Sequence, residues 1–145
     1  MNENFDVKII DFGFVCTLTG KNGSGFNFTK VGTPGFMAPE LVKKTHYSGH
    51  VVDLFALGVC LFIMYTGHPP FNIAAPSDDL YNLLWTHQYA RFWQVHSLNK
   101  PKDFFSETFQ NLIVLMFQER VEYRPCMADV VGHAWVKEGQ PLTPD

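Results

Sequence analysis

The sequence predicts a mainly α-helical domain organised around one buried helix. Residues 51–65, VVDLFALGVCLFIMY, carry no charge after Asp53 and are too many for an ordinary strand. A membrane span would need about 20 apolar residues, so we interpret this run as a core helix that is covered on all sides. Residues 106–117 also repeat apolar side chains at helical spacing, behind a serine cap. Only residues 5–12 favour a strand, which we expect to be short.

The composition indicates one soluble domain inside the cell. The chain has 145 residues, of which 46% are hydrophobic and 15% aromatic, enough for a substantial core. The net charge is -3 and no Lys/Arg-rich run occurs, so we expect neither nucleic acid nor a membrane as partner. Cys16, Cys60 and Cys126 are odd in number and far apart, which predicts buried thiols in a reducing compartment. No secretion signal is present, and the expected location is the cytoplasm.

The first third of the chain is expected to consist mostly of loops. After the predicted strand at residues 5–12, the chain turns at Gly13. Residues 14–30 contain GKNGSG and predict a flexible polar loop. The segment GTPGFMAPE, residues 32–40, has two prolines and two glycines and predicts an ordered but irregular loop. Pro39 then suits the first position of a short helix.

Start and stop signals divide the rest of the chain into helices. Ser48 is the predicted cap of the central helix, which ends near Gly67 with two prolines soon after. An acidic cap predicts a further helix over Leu80–Trp85. We expect residues 89–102 to be irregular and aromatic. A last short helix is expected over Met127–Val131, after the helix at residues 106–117.

Six short motifs follow one another along the chain. They are DFG at residues 11–13, APE at 38–40, DLFALGV at 53–59, GHPPF at 67–71, RP at 124–125 and HAW at 133–135. DFG alone carries no weight, but the ordered set resembles the C-terminal half of a eukaryotic protein kinase domain of the Ser/Thr type. The resemblance implies a partial large lobe at residues 1–137, with a strand before DFG, an activation loop, the central helix and late helices. Residues 138–145 would then be a frayed tail.

The resemblance implies a cofactor role for the DFG motif. Asp11 resembles the acid that holds Mg²⁺ bridging the phosphates of ATP, because a hard cation needs carboxylate oxygens. The alternative is that Asp11 only caps the turn before Gly13. Phe12 would pack inward and set the active or inactive position of the loop.

Two threonines carry the implied substrate and regulatory roles. In the Ser/Thr branch of the family, the hydroxyl that matches Thr33 bonds near the catalytic aspartate; the alternative is a plain turn residue. Thr29 lies where many kinases carry an activating phosphothreonine, which could order the loop against an Arg cluster. An unmodified loop threonine remains the alternative for Thr29.

Further residues match structural positions of the family. Glu40 and Arg124 match a buried ion pair that ties the activation loop to the late helices; two unrelated surface charges are the alternative. Asp53 matches the acid that holds the backbone of the catalytic loop. Cys60 and Met64 match helix positions that support an apolar column below the adenine of ATP. By periodicity alone they are ordinary core residues.

The resemblance leaves out most of the catalytic apparatus. The chain has no glycine-rich loop, ATP-anchoring lysine or HRD catalytic loop. We therefore predict that this chain alone transfers no phosphate and binds ATP weakly or not at all. Without the catalytic loop, part of the apolar surface of the central helix would also lack its cover.

Two functions remain open at this point. In the first, the chain is a fragment of a Ser/Thr kinase that acts on a protein substrate together with the missing half of the domain. In the second, it is a non-catalytic, pseudokinase-like binding module that uses residues 32–40 and the late helices as a docking surface.

Overall fold

The structure is a computed structural model that describes residues 7–29 and 31–139. The part of the chain that it describes is helical, with short 3-10 turns and no strand. The α-helices are α1 (Pro39–Val42), α2 (Gly49–Thr66), α3 (Asp79–Trp85), α4 (Tyr89–His96), α5 (Glu107–Met116), α6 (Met127–Gly132) and α7 (Ala134–Glu138). A mainly helical fold is what the sequence predicts.

The predicted start and stop signals act at the ends of these helices. Gly67 ends α2 in the left-handed conformation, at φ 82°, where glycine is favoured. Asp78 caps α3 by accepting from the backbone N–H groups of Leu80 and Tyr81, at 3.0 and 2.9 Å. Ser106 caps α5 by accepting from the N–H of residue 109 at 3.2 Å. Ser48 precedes α2 as predicted, but its hydroxyl contacts His50 Nδ1 at 3.0 Å and caps no backbone group.

The core is built on α2 and is rich in aromatic rings. Phe55, Val59 and Phe62 of α2 are fully buried. The ring of Phe62 lies within 6.2 Å, centroid to centroid, of several rings from α4 and the segment before α5. On the next turn, Tyr65 stacks on Phe109 of α5 at 4.2 Å. Contacts of this kind stabilise beyond the area they bury, so the aromatic residues fix how α4 and α5 pack on α2.

The predicted strand over residues 5–12 is wrong. Residues 5–6 lie outside the described part of the chain, and residues 7–12 form no strand. Val7, Ile9 and Ile10 are each at least 80% exposed. A stable strand needs a neighbouring strand to pair with, and the described residues offer none. The β propensity of this segment is therefore not enough to make it a strand.

The predicted irregular stretch over residues 89–102 is also wrong in its first half. Tyr89–His96 forms helix α4, and its buried face consists of Phe92, Trp93 and His96. These positions follow the i, i+3, i+4, i+7 spacing of an amphipathic helix, so the signal was present in the sequence. One more short helix, α7, follows His133, whose Nδ1 accepts from Trp135 N–H at 3.2 Å. Of the tail predicted at residues 138–145, residues 140–145 lie outside the described chain.

One face of α2 is uncovered in the described part of the chain. Asp53, Leu57, Cys60 and Met64 recur every three or four residues and are exposed; we call them the α2 stripe. Complete cover of the helix was therefore the wrong expectation, while a partial loss of cover was correct. The three cysteines, expected to be buried, are exposed free thiols.

By length and composition, α2 could cross a membrane, with a mean hydropathy of 1.7 over 18 residues. Core helices of soluble proteins meet the same criterion, and α2 carries the buried core of this fold.

Candidate functional site

A cavity of about 480 Å³ opens beside the first turn of α2. Its walls come from residues 9–18, from residues 31–37 and from the start of α2. Four residues that the sequence singles out line this cavity together: Asp11, Phe12, Thr33 and Asp53. The rest of the wall is mainly apolar. The cavity is therefore the place where the motif residues could act on one ligand or one partner segment.

Asp11 lines the cavity and has an unusual backbone conformation. Its φ of 61° is left-handed, which aspartate tolerates better than most residues. Its Oδ1 accepts from Gly13 N–H at 3.3 Å and so caps the 3-10 turn over Phe12–Phe14. Asp11 thus makes the contact expected if it only caps the turn before Gly13. This contact leaves carboxylate lone pairs that could still bind a cation.

The donor set fits one contact to Mg²⁺ but not a nucleotide site. Mg²⁺ is commonly held by one or two carboxylates together with substrate phosphates, and Asp11 could be one of these. Within the described residues, however, no group of three His, Cys, Asp or Glu side chains is arranged to hold a metal ion. The walls around Asp11 come from apolar side chains such as Ile9, Phe14 and Leu18, and among the residues that the structure describes no lysine or arginine lines this cavity. Asp11 would hold the metal only as one ligand among several.

Phe12 differs from its expected position. We expected its ring to pack inward, but the ring is 67% exposed while one side of it lines the cavity. The described chain provides no segment that packs over it. For the same reason, Cys60 and Met64 are not core residues here: both are exposed, Met64 at 74%.

Asp53 is held in the first turns of α2, where the cavity meets the helix. Its side chain makes no hydrogen bond within the described part of the chain, although its neighbours Tyr47 and His50 interact with it electrostatically. Partial burial against the cavity wall raises the pKa of the Asp53 carboxyl, and the charge of His50 opposes this shift. A carboxylate in this state is ready to accept N–H groups from a segment that enters the cavity.

The loop that carries Thr29 and Thr33 is tied to the helical core. Asn27 and Tyr47 form an antiparallel bridge, with N···O distances of 2.8 and 3.1 Å. The hydroxyl of Tyr47 also donates to the carbonyl of Thr29 at 2.9 Å. Thr33 precedes a 3-10 turn and accepts from Phe36 N–H at 2.9 Å through its carbonyl. The hydroxyl-bearing side chains of both threonines remain exposed.

Glu40 and Arg124 meet in a buried bidentate ion pair. Their N···O distances are 2.6 and 2.7 Å, and the side chains are 9% and 0% exposed. Arg124 also donates from Nε to Gln118 O at 2.8 Å, and its guanidinium lies 5.1 Å from the centre of the Phe55 ring. Bidentate geometry and extra hydrogen bonds are what allow such a pair to be buried. The pair joins the end of the 32–40 loop to the segment after α5.

Tyr47 is the site residue that sequence reasoning missed. It is buried, lines the cavity and anchors the loop at Thr29. Burial, with the nearby Cys16 and Asp53 adding to it, raises the pKa of its hydroxyl, which therefore stays a donor. The sequence places it between two loop signals, and nothing in the local pattern marks it as an anchor.

Comparison with known proteins identifies the class of protein. A family model described as "Protein kinase domain" matches residues 1–136. Together with the helical fold around α2, this match shows that the chain belongs to the protein kinase family.

Several of the relatives that the chain matches are serine/threonine kinases. It is 34% identical to Sperm motility kinase 3A of Mus musculus over 139 residues, which are 96% of the chain and 25% of that protein. It is 28% identical to CBL-interacting serine/threonine-protein kinase 19 of Arabidopsis thaliana over 142 residues, 96% of the chain and 26% of that protein. Serine/threonine-protein kinase SMU1 of Mycosarcoma maydis is 32% identical over 137 residues, 94% of the chain and 17% of that protein. The chain thus spans between 17% and 26% of the length of these relatives.

Proposed function

We propose that the chain is the activation-loop and late-helix part of a protein serine/threonine kinase, and that it acts together with the catalytic segment of a kinase domain. That segment would supply the nucleotide cradle, the catalytic aspartate and the remaining metal contact. The chain would supply Asp11 for Mg²⁺ and the surface around Thr33 for the protein substrate. We place this activity inside the cell, without a role for nucleic acid or a membrane.

The cavity carries this proposal. Asp11, Thr33 and Asp53 lie far apart in the sequence but line one cavity, and within the described chain Asp53 makes no hydrogen bond. Kinases catalyse mostly by positioning the reactants and by stabilising charge at the transferred phosphoryl group. The catalytic base and the nucleotide cradle can therefore come from another segment only if that segment docks beside Asp11. Asp53 lines the same cavity as Asp11, which favours such docking.

The activity test is reconstitution. The 145-residue chain is mixed with a separately expressed Ser/Thr-kinase segment that carries the glycine-rich loop and the HRD motif, and phosphate transfer from Mg-ATP to a Ser/Thr protein substrate is measured. We expect no transfer by either part alone, transfer by the mixture, and loss of transfer with Asp11→Asn. Asp79→Asn, an exposed acid that caps no backbone group, is the matched control and should leave transfer unchanged. A mixture that assembles but is inactive would contradict the proposal.

Thr29 would regulate this activity. Its backbone is held by Tyr47 while its side chain is exposed, so a phosphate added there would act on an already anchored loop. The described residues near Thr29 contain no Arg cluster. The positive charges that bind the phosphate on Thr29 would therefore come from the catalytic segment.

A non-catalytic binding module is the second candidate. The observation that favours it is the order of the 32–40 loop, which the Glu40–Arg124 pair fixes without any nucleotide-binding part. A stoichiometric partner that binds the isolated chain equally well with and without Mg-ATP, and with Asp11→Asn, would support this candidate. Partner binding that needs the catalytic segment would count against it.

A further inference from the structure

An asparagine followed by a glycine lies in the glycine-rich loop at residues 20–25. Asn22 and Gly23 are both exposed, and no other asparagine in the chain is followed by glycine. Asn22 has a left-handed backbone conformation, at φ 66° and ψ 23°. Neither residue lines the cavity beside α2, so the chemistry of this pair is independent of the proposed kinase activity.

The side-chain amide of Asn22 is free to turn toward the backbone. Within the described part of the chain it makes no hydrogen bond. Apart from its chain neighbours, a Cβ built on Gly23 would have no atom within 4 Å, so the space around this glycine is open. Glycine also has more backbone freedom than any other residue. No surrounding atom therefore opposes a rotation about the Cα–C bond of Asn22 that brings Gly23 N to Asn22 Cγ.

We propose that Asn22 is a site of spontaneous deamidation, with water as the only reactant. Gly23 N attacks Asn22 Cγ and forms an N–C bond. The bond from Cγ to Nδ2 breaks, and Nδ2 takes the proton of Gly23 N and leaves as ammonia. Water then opens the cyclic imide: breaking the bond at Cγ leaves aspartate, and breaking the bond at the main-chain carbonyl carbon leaves isoaspartate.

Asn99 is an internal control for this assignment. It is also exposed and has a left-handed backbone conformation, at φ 63°, but Lys100 follows it. The Cβ of Lys100 restricts the rotation that the attack requires. Lys100 Nζ also donates to the carbonyl of Thr66 at 3.0 Å, which holds this residue against α2. The following residue, and neither exposure nor φ, distinguishes the two asparagines.

The modification loosens a tightly closed loop. Gly25 N–H donates to the carbonyl of Thr19 at 2.7 Å, and a Cβ on Gly20 would clash with the backbone of Phe26. Isoaspartate adds a carbon atom to the main chain inside this closed loop, and both products add a negative charge. The hydrogen bond from Gly25 to Thr19 should therefore weaken in the isoaspartate form.

The test is to incubate the full 145-residue chain at pH 7.4 and at pH 9 and to map it by mass spectrometry over time. We expect position 22 to gain the mass difference between an amide and an acid, faster at pH 9 because the attacking N–H must lose its proton. Electron-transfer fragmentation should detect isoaspartate as well as aspartate there. Asn99 should keep its amide over the same time, and the Gly25 amide should exchange with deuterium faster in the modified protein.

Two glycine substitutions test the role of the following residue. Gly23→Ala should slow deamidation by about tenfold or more, because a Cβ hinders the rotation toward Asn22 Cγ. Gly25→Ala is the matched control, since Gly23 and Gly25 have similar φ values of 71° and 77° and equally open surroundings. Alanine is strained alike at both positions, but Gly25 does not follow an asparagine, so Gly25→Ala should leave the rate unchanged.

Four results would overturn the proposal. They are no mass gain at Asn22, an equal gain at Asn99, aspartate without isoaspartate, and equal slowing by Gly23→Ala and Gly25→Ala. Aspartate without isoaspartate would mean that water hydrolyses the side chain directly, without the cyclic imide. Asn22→Gln should remove the modification at this position and supplies the unmodified reference for the exchange of the Gly25 amide.

Discussion

At the scale of single residues, the Glu40–Arg124 pair is the contact that defines the loop. Its partners are 84 residues apart in sequence, and both are buried. A buried pair of this kind adds little net stability, since its attraction mainly offsets the loss of hydration. Its value is geometric, because a carboxylate and a guanidinium joined by two hydrogen bonds allow only one relative position of the segments that carry them.

Breaking the pair from one side should therefore be costly. Arg124→Gln leaves the Glu40 carboxylate buried without its partner, and we expect a loss of about 3–5 kcal/mol in the free energy of unfolding, measured with urea. The matched control is Lys43→Gln, which breaks the half-exposed pair with Glu119 and should cost less than about 1 kcal/mol. Equal losses for the two variants would show that the buried pair has no special role.

His96 should make the stability depend on pH. Its ring is buried against Phe62, its Nε2 donates to Pro70 O at 3.1 Å, and burial lowers its pKa to about 4, helped by the neighbouring His68. Because this pKa lies below the unfolded value of about 6.5, the unfolded chain binds the proton first. The neutral ring stabilises fully above pH 6.5, and we expect about 3 kcal/mol to be lost as the pH falls from 6.5 to 4.

Urea unfolding at pH 7, 5.5 and 4.5 measures this loss. His96→Gln keeps an amide donor for Pro70 but removes the proton equilibrium, so its stability should change less over the same range. Parallel curves for the two proteins would assign the acid sensitivity to other groups.

At the scale of elements, the helices with strong caps were predicted correctly from the sequence. The prediction failed where contacts with other segments decide whether an element forms. The ends of α2, α3 and α5 follow from Gly67, Asp78 and Ser106, which act on the backbone locally. The segment at residues 7–12 has the composition of a strand, but a strand exists only with a pairing partner, and the described chain has none. Helix α4 was predictable from its spacing, and its many aromatic residues concealed the pattern.

The contact between α2 and α5 depends on a glycine. A Cβ on Gly58 would lie 3.0 Å from Met116 Cβ and from the Phe117 ring, closer than the two segments allow. Gly58→Val should therefore lower the free energy of unfolding by about 2–3 kcal/mol through overpacking. Ala56→Val, at a partly open position of the same helix, is the control and should change it by less than about 1 kcal/mol. A tolerated valine at position 58 would mean that α2 and α5 do not pack this closely.

The α2 stripe should make the isolated chain associate. Leu57 is 40% and Met64 74% exposed, and a contiguous apolar surface of this kind favours self-association. We expect Leu57→Ser/Met64→Ser to reduce the oligomeric fraction in sedimentation velocity without lowering the free energy of unfolding. Val131→Ser, at a 60% exposed position on α6, is the control. Association that responds equally to both changes would not depend on the stripe.

At the scale of the whole molecule, the parts of the candidate site were predicted better than their arrangement. The motifs marked Asp11, Thr33 and Asp53, and the structure brings these three to one cavity. Their roles toward Mg²⁺, substrate and catalytic loop rest on the family resemblance and remain predictions.

The chain alone should respond weakly to Mg-ATP, because Asp11 is a single ligand in a mostly apolar wall. A ligand at 100 times its dissociation constant stabilises a protein by about 2.7 kcal/mol, so thermal unfolding detects tight binding readily. We expect no shift of the melting temperature in millimolar Mg-ATP. A clear shift that Asp11→Asn removes would show that the chain holds a nucleotide site by itself.

We infer that a catalytic segment docks in the cavity beside α2 through Asp53. The most direct test is isothermal titration calorimetry of the 145-residue chain with the segment that carries the HRD motif, comparing wild type with Asp53→Asn. We predict stoichiometric binding that Asp53→Asn weakens by about tenfold or more, because the amide replaces a charged acceptor of backbone N–H groups. Equal affinity of the two proteins, or no binding by the wild type, would show that the segment does not dock through Asp53.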